Sequence, residues 1–317
     1  FLLMANDEQI AHGPGYGILA ALLGTIGLLD ALGHFRVTGG ERALPLGEGG
    51  PLRAEGEPLL TAPLFTVPLA LVLFVGVLFA YGGVPGLPVA TMAALLVLLL
   101  SAIRRPALLV VVVGTGLIFP FLGAYGLWDP WETHYGEVAR EMLARDDWIS
   151  PWWAQEDWFW SKPVLIFWIE SLSMGALGVD FHSDANPLHP EFAIRLPHFF
   201  LTMGALLSVY ALVARIWSKR AGVIAASVLA TMPHFFFLSH QAITDMPFVS
   251  NMTMAMAMLG LAVVTDGERE AARFRLGPIA LSGRSLLVGA ITLVGVPQIL
   301  YRSEERRVGK ECRSRWS

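Results

Sequence analysis

A succession of charge-free apolar blocks, each near the length of a membrane span, constrains this chain more than any other feature. Leu64 to Tyr81, Val89 to Ile103, Pro106 to Leu127, Leu196 to Ala214, Ala221 to Ser239 and Met246 to Thr265 hold no Asp, Glu, Lys or Arg, and Ser285 to Tyr301 opens a further such run. About twenty apolar residues of helix cross a bilayer core. Lipid offers the backbone no hydrogen bonds, so a spanning segment closes its own, as a helix or within a closed barrel. The alternating pattern of an outer-membrane barrel is absent. The expected fold class is therefore all-α, a polytopic integral membrane helical bundle. Charge content agrees: 15% of residues are charged, against about 25% in ordinary soluble domains. Tyr16 to Phe35 is also mostly apolar, but Asp30 and His34 leave it open as a span, a buried helix or an interfacial one.

The blocks divide the chain. Residues 1–105 read as additional N-terminal membrane helices with an exposed loop rich in Gly, Pro, Glu and Arg over 36–63, and residues 106–301 as the transmembrane core. From Arg302 the composition switches in mid-span to RSEERRVGKECRSRWS, a string similar to what a common short-read sequencing adapter encodes in one frame. Residues 302–317 are expected to be an artefact of that kind. They hold six basic and three acidic residues, so without them the net charge moves from −4 to −7. They also hold Cys312, the only cysteine, so neither a disulfide nor a thiolate metal site is expected in the rest. Beginning at Phe1, the chain is expected to be a fragment of a longer gene product.

Orientation follows from the basic residues, which favour the cytoplasmic side. Arg104/Arg105, Arg215/Lys219/Arg220 and Arg269/Arg273/Arg275 form three clusters. With all three inside, the chain between Leu127 and Arg215 must cross an odd number of times. Two apolar stretches lie there, and the shorter, Val164 to Val179 with Glu170 within it, reads as a helix lying in the interface. The parity then closes. Asp129, Glu132, Lys162, Arg195 and Asp245 are all expected on the outer side, the periplasmic face of a bacterial inner membrane.

The stretch from Trp128 to Pro163, WDPWETHYGEVAREMLARDDWISPWWAQEDWFWSKP, is the only long run rich in both carboxylates and tryptophan. Polar chemistry gathered between apolar helices marks a membrane site. Asp129-Pro130-Trp131-Glu132 has the pattern of a helix start, with Asp as N-cap, Pro at the first position and Glu as capping-box partner. On that reading both acids are caps and nothing more. Trp131, Tyr135, Val138 and Met142 recur at helical spacing as one apolar stripe, and Glu141 with Arg145 suits an i,i+4 pair. Eight tryptophans between Trp128 and Trp168 exceed what interfacial anchoring needs, and flat aromatic faces suit a sugar ring or an isoprenoid chain. Lys162 is either a lysine snorkelling to the interface or a point charge for a phosphate. The eight histidines show no metal-ligand spacing, and the glycines of GTGLIFPFLG suit helix packing better than a phosphate cradle.

Four separated motifs, WDPWETHYGEVAREMLARDDWISPWW, SKPVLIFW, EFAIRLPHF and ITDMPF, resemble the membrane glycosyltransferases with a GT-C fold. The likeness is to the family 39 group, which includes protein O-mannosyltransferases and the lipid A aminoarabinose transferase, and covers roughly Pro106 to Thr265. It implies a GT-C-like bundle whose first outer loop carries an acidic motif and interfacial helices. The implied reaction is an inverting transfer of a sugar from a polyprenyl-phosphate donor to a hydroxyl of a lipid or protein acceptor outside the membrane. No soluble nucleotide-sugar and no nucleic acid takes part. By position the family's Asp-Glu pair falls on Trp131 and Glu132, so the general base is Glu132 alone or Asp129, displaced by two residues. Lys162 and Arg195 match the family's Lys-Pro and Arg-Leu-Pro motifs and are the expected ligands of the donor phosphate. Asp245 matches its second acid. Trp131, Tyr135 and Trp160 are the expected stacking surfaces for sugar or lipid. Ser161 stands where the family has Glu before Lys162, which removes one ligand from any divalent metal; a metal cofactor stays open. Trp131 at the family's Asp position also fits a non-catalytic or transport-related relative, although acids at helix ends rather than at mid-membrane favour the transferase.

Overall fold

The computed structural model describes residues 60, 63–81, 86–153, 157–159, 161–179, 190–266, 274–276, 279–281 and 283–297. The Tyr16 to Phe35 segment, Trp160 and the 302–317 stretch lie outside the described residues.

The fold is a helical bundle. Helices α1 (Pro63–Ala80) and α2 (Leu87–Ala102) pack against each other. Thr66 Oγ1 and Ser101 Oγ share a buried hydrogen bond of 2.6 Å across this contact, satisfying two hydroxyls that an apolar interface would otherwise leave unpaired. Helix α3 (Pro106–Ile118) is shorter than the span expected over Pro106 to Leu127. A single 3₁₀ turn (Phe119–Phe121) follows it, and irregular chain runs on to Pro130. The cause is Pro120, which has no N–H to donate and whose ring blocks the carbonyl four residues back. The carbonyls released beyond this break find a partner at the site described below.

After α4 (Trp131–Arg145) and α5 (Val164–Leu177) comes α6 (Pro190–Ile216), onto which α3, α5, α7 and α9 all pack. It begins six residues before Leu196, the expected start of this span, and so takes Arg195 into its body. Helix α7 (Lys219–Thr231) is capped by Ser218, whose hydroxyl accepts from Ala221 N at 3.1 Å. The single helix expected from Ala221 to Ser239 is broken: Met232 is extended, with ψ 125°, and α8 (Pro233–Leu238) restarts the helix. A residue ahead of proline is pushed out of the helical region, which accounts for the break. Gly222 lets α7 approach α6 closely, since a Cβ there would lie 2.7 Å from the Tyr210 carbonyl oxygen.

Helices α9 (Asp245–Asp266) and α10 (Gly283–Pro297) follow. Two antiparallel ribbons, β1 (Trp152–Trp153) with β2 (Asp157–Trp158) and β3 (Phe274–Leu276) with β4 (Ile279–Leu281), are additions to the all-helical expectation. Strands of two and three residues are too short to print a period in the sequence. Among the described residues, Pro190–Ile216 and Asp245–Val264 are long and apolar enough to cross a membrane, while α1, α2, α3, α5 and α10 are apolar but shorter. Large apolar side chains such as Val72, Phe79, Phe200, Val263 and Ile291 face outward, as suits a bundle whose surroundings are lipid.

Candidate active site

A buried ion pair ties the separated motifs together. Arg195 and Glu132 are both fully buried, with Arg195 Nε donating to Glu132 Oε1 at 2.9 Å and Nη2 to Oε2 at 2.8 Å. This two-pronged geometry is the strong form of a charge-assisted pair. The other guanidinium hydrogens go to the carbonyls that the α3 break released: Leu122 and Tyr125 from Nη1, and Gly126 from Nη2, each at 2.9 Å. Arginine has five N–H donors, and all five are used. Glu132 also accepts from Trp128 N at 2.9 Å and from Ala242 N at 2.7 Å. The Tyr125 ring lies 4.1 Å from the guanidinium carbon, and its hydroxyl donates to the His240 carbonyl at 2.7 Å. One carboxylate thus joins the acidic loop, the Arg-Leu-Pro helix and the turn that leads into Asp245.

This arrangement changes the expected division of labour. Arg195 has no donor left for a phosphate, and Glu132 accepts two backbone N–H groups besides facing a buried cation. Asp129 is exposed, and its Oδ1 accepts the Thr133 hydroxyl at 3.1 Å. It is not the helix cap: Pro130 holds that position, with no side-chain capping bond. Glu132 does reach back to a backbone N–H, but to that of Trp128. The apolar stripe is corrected too. Trp131 is 57% exposed, while Glu132, Tyr135, Val138, Ala139 and Met142 form the buried face of α4. Tyr135, expected to stack a ligand, instead packs against Phe159 and Phe167 in the core.

Lys162 is half-buried and Asp245 exposed, and among the described residues neither has a hydrogen-bond or ion-pair partner. A mostly apolar groove of about 270 Å³ lies between α5, α9 and α10. Pro163 and Ile166 from α5, Thr244, Phe248 and Asn251 at the start of α9, and Val294 of α10 line it. In the chain, Lys162 immediately precedes the lining residue Pro163, and Asp245 immediately follows the lining residue Thr244. Among the described residues no three His, Cys, Asp or Glu side chains cluster as a metal would need.

The tryptophans serve mainly the protein itself. Trp152 meets Trp158 across the β1–β2 ribbon, ring to ring at 5.0 Å, and the Arg145 guanidinium lies 4.4 Å from the Trp152 ring. Arg145 is thus an aromatic partner, whereas Arg140 takes the ion-pair role, bonding Glu137 at 2.8 Å and also Glu141. Trp168 donates to the Trp148 carbonyl, Trp153 packs on His134, and Trp128 packs on Phe237. Trp128, Trp131 and Trp158 remain partly exposed. Sequence reasoning missed Tyr125, His240 and the Ala242 N–H, which lie in apolar or neutral stretches without a local pattern. Burial pushes the His240 imidazole down to about 4, so it is neutral at physiological pH.

Part of the chain that carries this hub and groove is similar in sequence to membrane glycosyltransferases. Residues 161–288 match the family model described as dolichyl-phosphate-mannose-protein mannosyltransferase, a stretch that includes Lys162, Arg195 and Asp245. An undecaprenyl phosphate-alpha-4-amino-4-deoxy-L-arabinose arabinosyl transferase of Yersinia pestis (strain Pestoides F) is 32% identical over 172 residues, 52% of this chain and 27% of that protein. Its namesake in Pectobacterium atrosepticum is 30% identical over 157 residues, 49% of this chain and 26% of the relative. The match therefore spans about a quarter of each relative's length. No solved structure matches the chain.

Proposed function

We propose that the protein transfers a sugar from a polyprenyl-phosphate donor to a hydroxyl of a lipid or protein acceptor, at the outer face of a bacterial inner membrane. The observation that carries this reading is the apolar groove whose lining residues Pro163 and Thr244 adjoin Lys162 and Asp245 in the chain, Lys162 having no partner among the described residues. An isoprenoid chain needs an apolar channel and its phosphate a cation at the channel mouth. The names of the relatives, both concerned with polyprenyl-linked sugars, support the same donor class.

In this mechanism Asp129 is the general base. It takes the proton of the acceptor hydroxyl as that oxygen attacks the anomeric carbon from the face opposite the phosphate. The bond from the anomeric carbon to the phosphate oxygen breaks, its electron pair leaves with the polyprenyl phosphate, and the sugar is inverted. Lys162 stabilises the charge on the leaving phosphate. Asp245 serves as a second acid that orients the sugar, and Trp131 offers an exposed aromatic face to it. Glu132 and Arg195 act as the brace that fixes Asp129 and Asp245 relative to each other. Residues 106–301 form the catalytic core in this reading, and 1–105 an N-terminal addition.

The test is transfer of radiolabelled polyprenyl-linked sugar in membranes containing the full gene product. Asp129→Asn is expected to lower the rate by about 10²–10⁴, the usual cost of losing a general base, and Lys162→Ala to weaken donor use, both at parental expression. Near-parental transfer by both variants overturns the assignment. The exposed Trp131 at the family's acidic position favours a second reading, a non-catalytic or transport-related relative. That reading predicts binding of polyprenyl phosphate by the parent protein with no transfer at all.

A further inference from the structure

A second buried polar pair lies outside the hub and outside the mechanism just described. Glu170 of α5 and His198 of α6 are both fully buried, with Glu170 Oε1 and His198 Nε2 3.0 Å apart. Glu170 Oε2 and His198 Nδ1 have no other partner among the described residues. Two serines join α5 to its neighbours nearby: Ser171 donates to the Ala139 carbonyl of α4 at 2.7 Å, and Ser173 to the Ala193 carbonyl of α6 at 2.6 Å. The charged groups acting on the pair are Glu132 from α4 and Arg195 from α6. Burial, with the Glu132 charge adding to it, holds the Glu170 carboxyl well above the usual carboxylate range. Burial thus favours the neutral acid beside the imidazole.

We propose that the Glu170–His198 bond is a positioning pair, a pin that sets the register of α5 along α6 and so holds Lys162 and the α5 wall of the groove in place. Apolar contacts along two helices resist sliding weakly, because one methyl contact replaces another. A directional bond between two buried groups does resist it, since any slip leaves both without a partner. His198 lies one turn beyond Arg195 on α6, and Val164 about 9 Å along the α5 axis from Glu170, at 1.5 Å per residue. A slip of α5 by one turn would carry Lys162 by about 5.4 Å, out of reach of a phosphate held in the groove. The role assigned to Lys162 rests on the proposed function; the pin itself does not.

The experiment uses the full gene product in membranes, with two readouts. The first is the labelling rate of Ser161→Cys, next to Lys162, by a membrane-impermeant thiol reagent. Glu170→Met, similar in size and apolar, is expected to change that rate by about threefold or more, while Glu170→Gln, which keeps a neutral bond to His198, leaves it unchanged. The second is steady-state transfer: Glu170→Met should raise the donor KM by about tenfold with kcat held, and Glu170→Gln should restore it. An unchanged labelling rate in Glu170→Met overturns the pin whatever the activity. So does equal impairment by Gln and Met, or a fall in kcat at constant KM. A parent protein that transfers no sugar defeats the proposed function, and the labelling arm still decides the pin. If Glu170→Met is not recovered folded, His198→Gln with the same two readouts takes its place.

Discussion

Glu132 shows how one residue's role turns on its partners. As a capping-box acid it should tolerate Gln, which caps nearly as well. As the counter-ion of a fully buried Arg195 it should not, because Gln leaves a guanidinium charge uncompensated in a dry core. Breaking such a pair by removing one member costs about 3–5 kcal/mol, a large part of the stability of an ordinary domain. Glu132→Gln is therefore expected to lower recovery and thermal midpoint in detergent, whereas the exposed Asp129→Asn should leave both near parental. Equal stability of the two variants, followed by thermal unfolding, would remove the hub from its central place.

At the scale of elements, the site is assembled from helix beginnings. Helix α4 contributes Glu132 in its first turn, α5 starts just after Lys162, α6 holds Arg195 near its N-terminal end, and α9 opens on Asp245. Helix N-termini carry partial positive charge, which suits an anionic donor headgroup beside Lys162. In the proposed function the groove between α5, α9 and α10 takes the lipid. Filling it should compete with the donor without disturbing the hub. Asn251→Trp is expected to weaken donor binding by about tenfold, as one blocked apolar subsite does, with the melting temperature unchanged. Titration with a fluorescent polyprenyl phosphate checks this, and parental affinity would place the lipid elsewhere.

For the whole molecule, the hub requires that the acidic loop, the start of α6 and the turn before α9 share one end of the bundle. Helix α6, at 27 residues, is about 40 Å long, so Ser218 beyond its far end belongs to the opposite side. Cysteines introduced at Ser161 and Thr244 are expected to react with an impermeant reagent from outside the cell, and one at Ser218 is not. Reaction at Ser218 together with Ser161 would contradict both the charge-based orientation and the interfacial placement of α5.

The helical class, the order of the apolar blocks and the residues that carry charge between them were legible along the chain, because burial in lipid leaves a helix little freedom and tolerates few charges. The motifs also nominated Glu132, Arg195, Asp129, Lys162 and Asp245 as a group. The pairing of Glu132 with Arg195, and the exposure of Asp129 and Asp245, emerged only from the three-dimensional fold. Whether a carboxylate is a cap, a base or a brace depends on what lies within 3 Å of it, and the partners of Glu132 come from residues 63 and 110 positions away. The same holds for the Pro120 break, whose released carbonyls are tolerable because Arg195 arrives from another helix to donate to them. Glu170 and His198 read as stray polar residues along the chain, and become a pair only when α5 is laid against α6. Long-range partners leave no periodic trace in a chain, which is why the helices were legible and the division of the site was not.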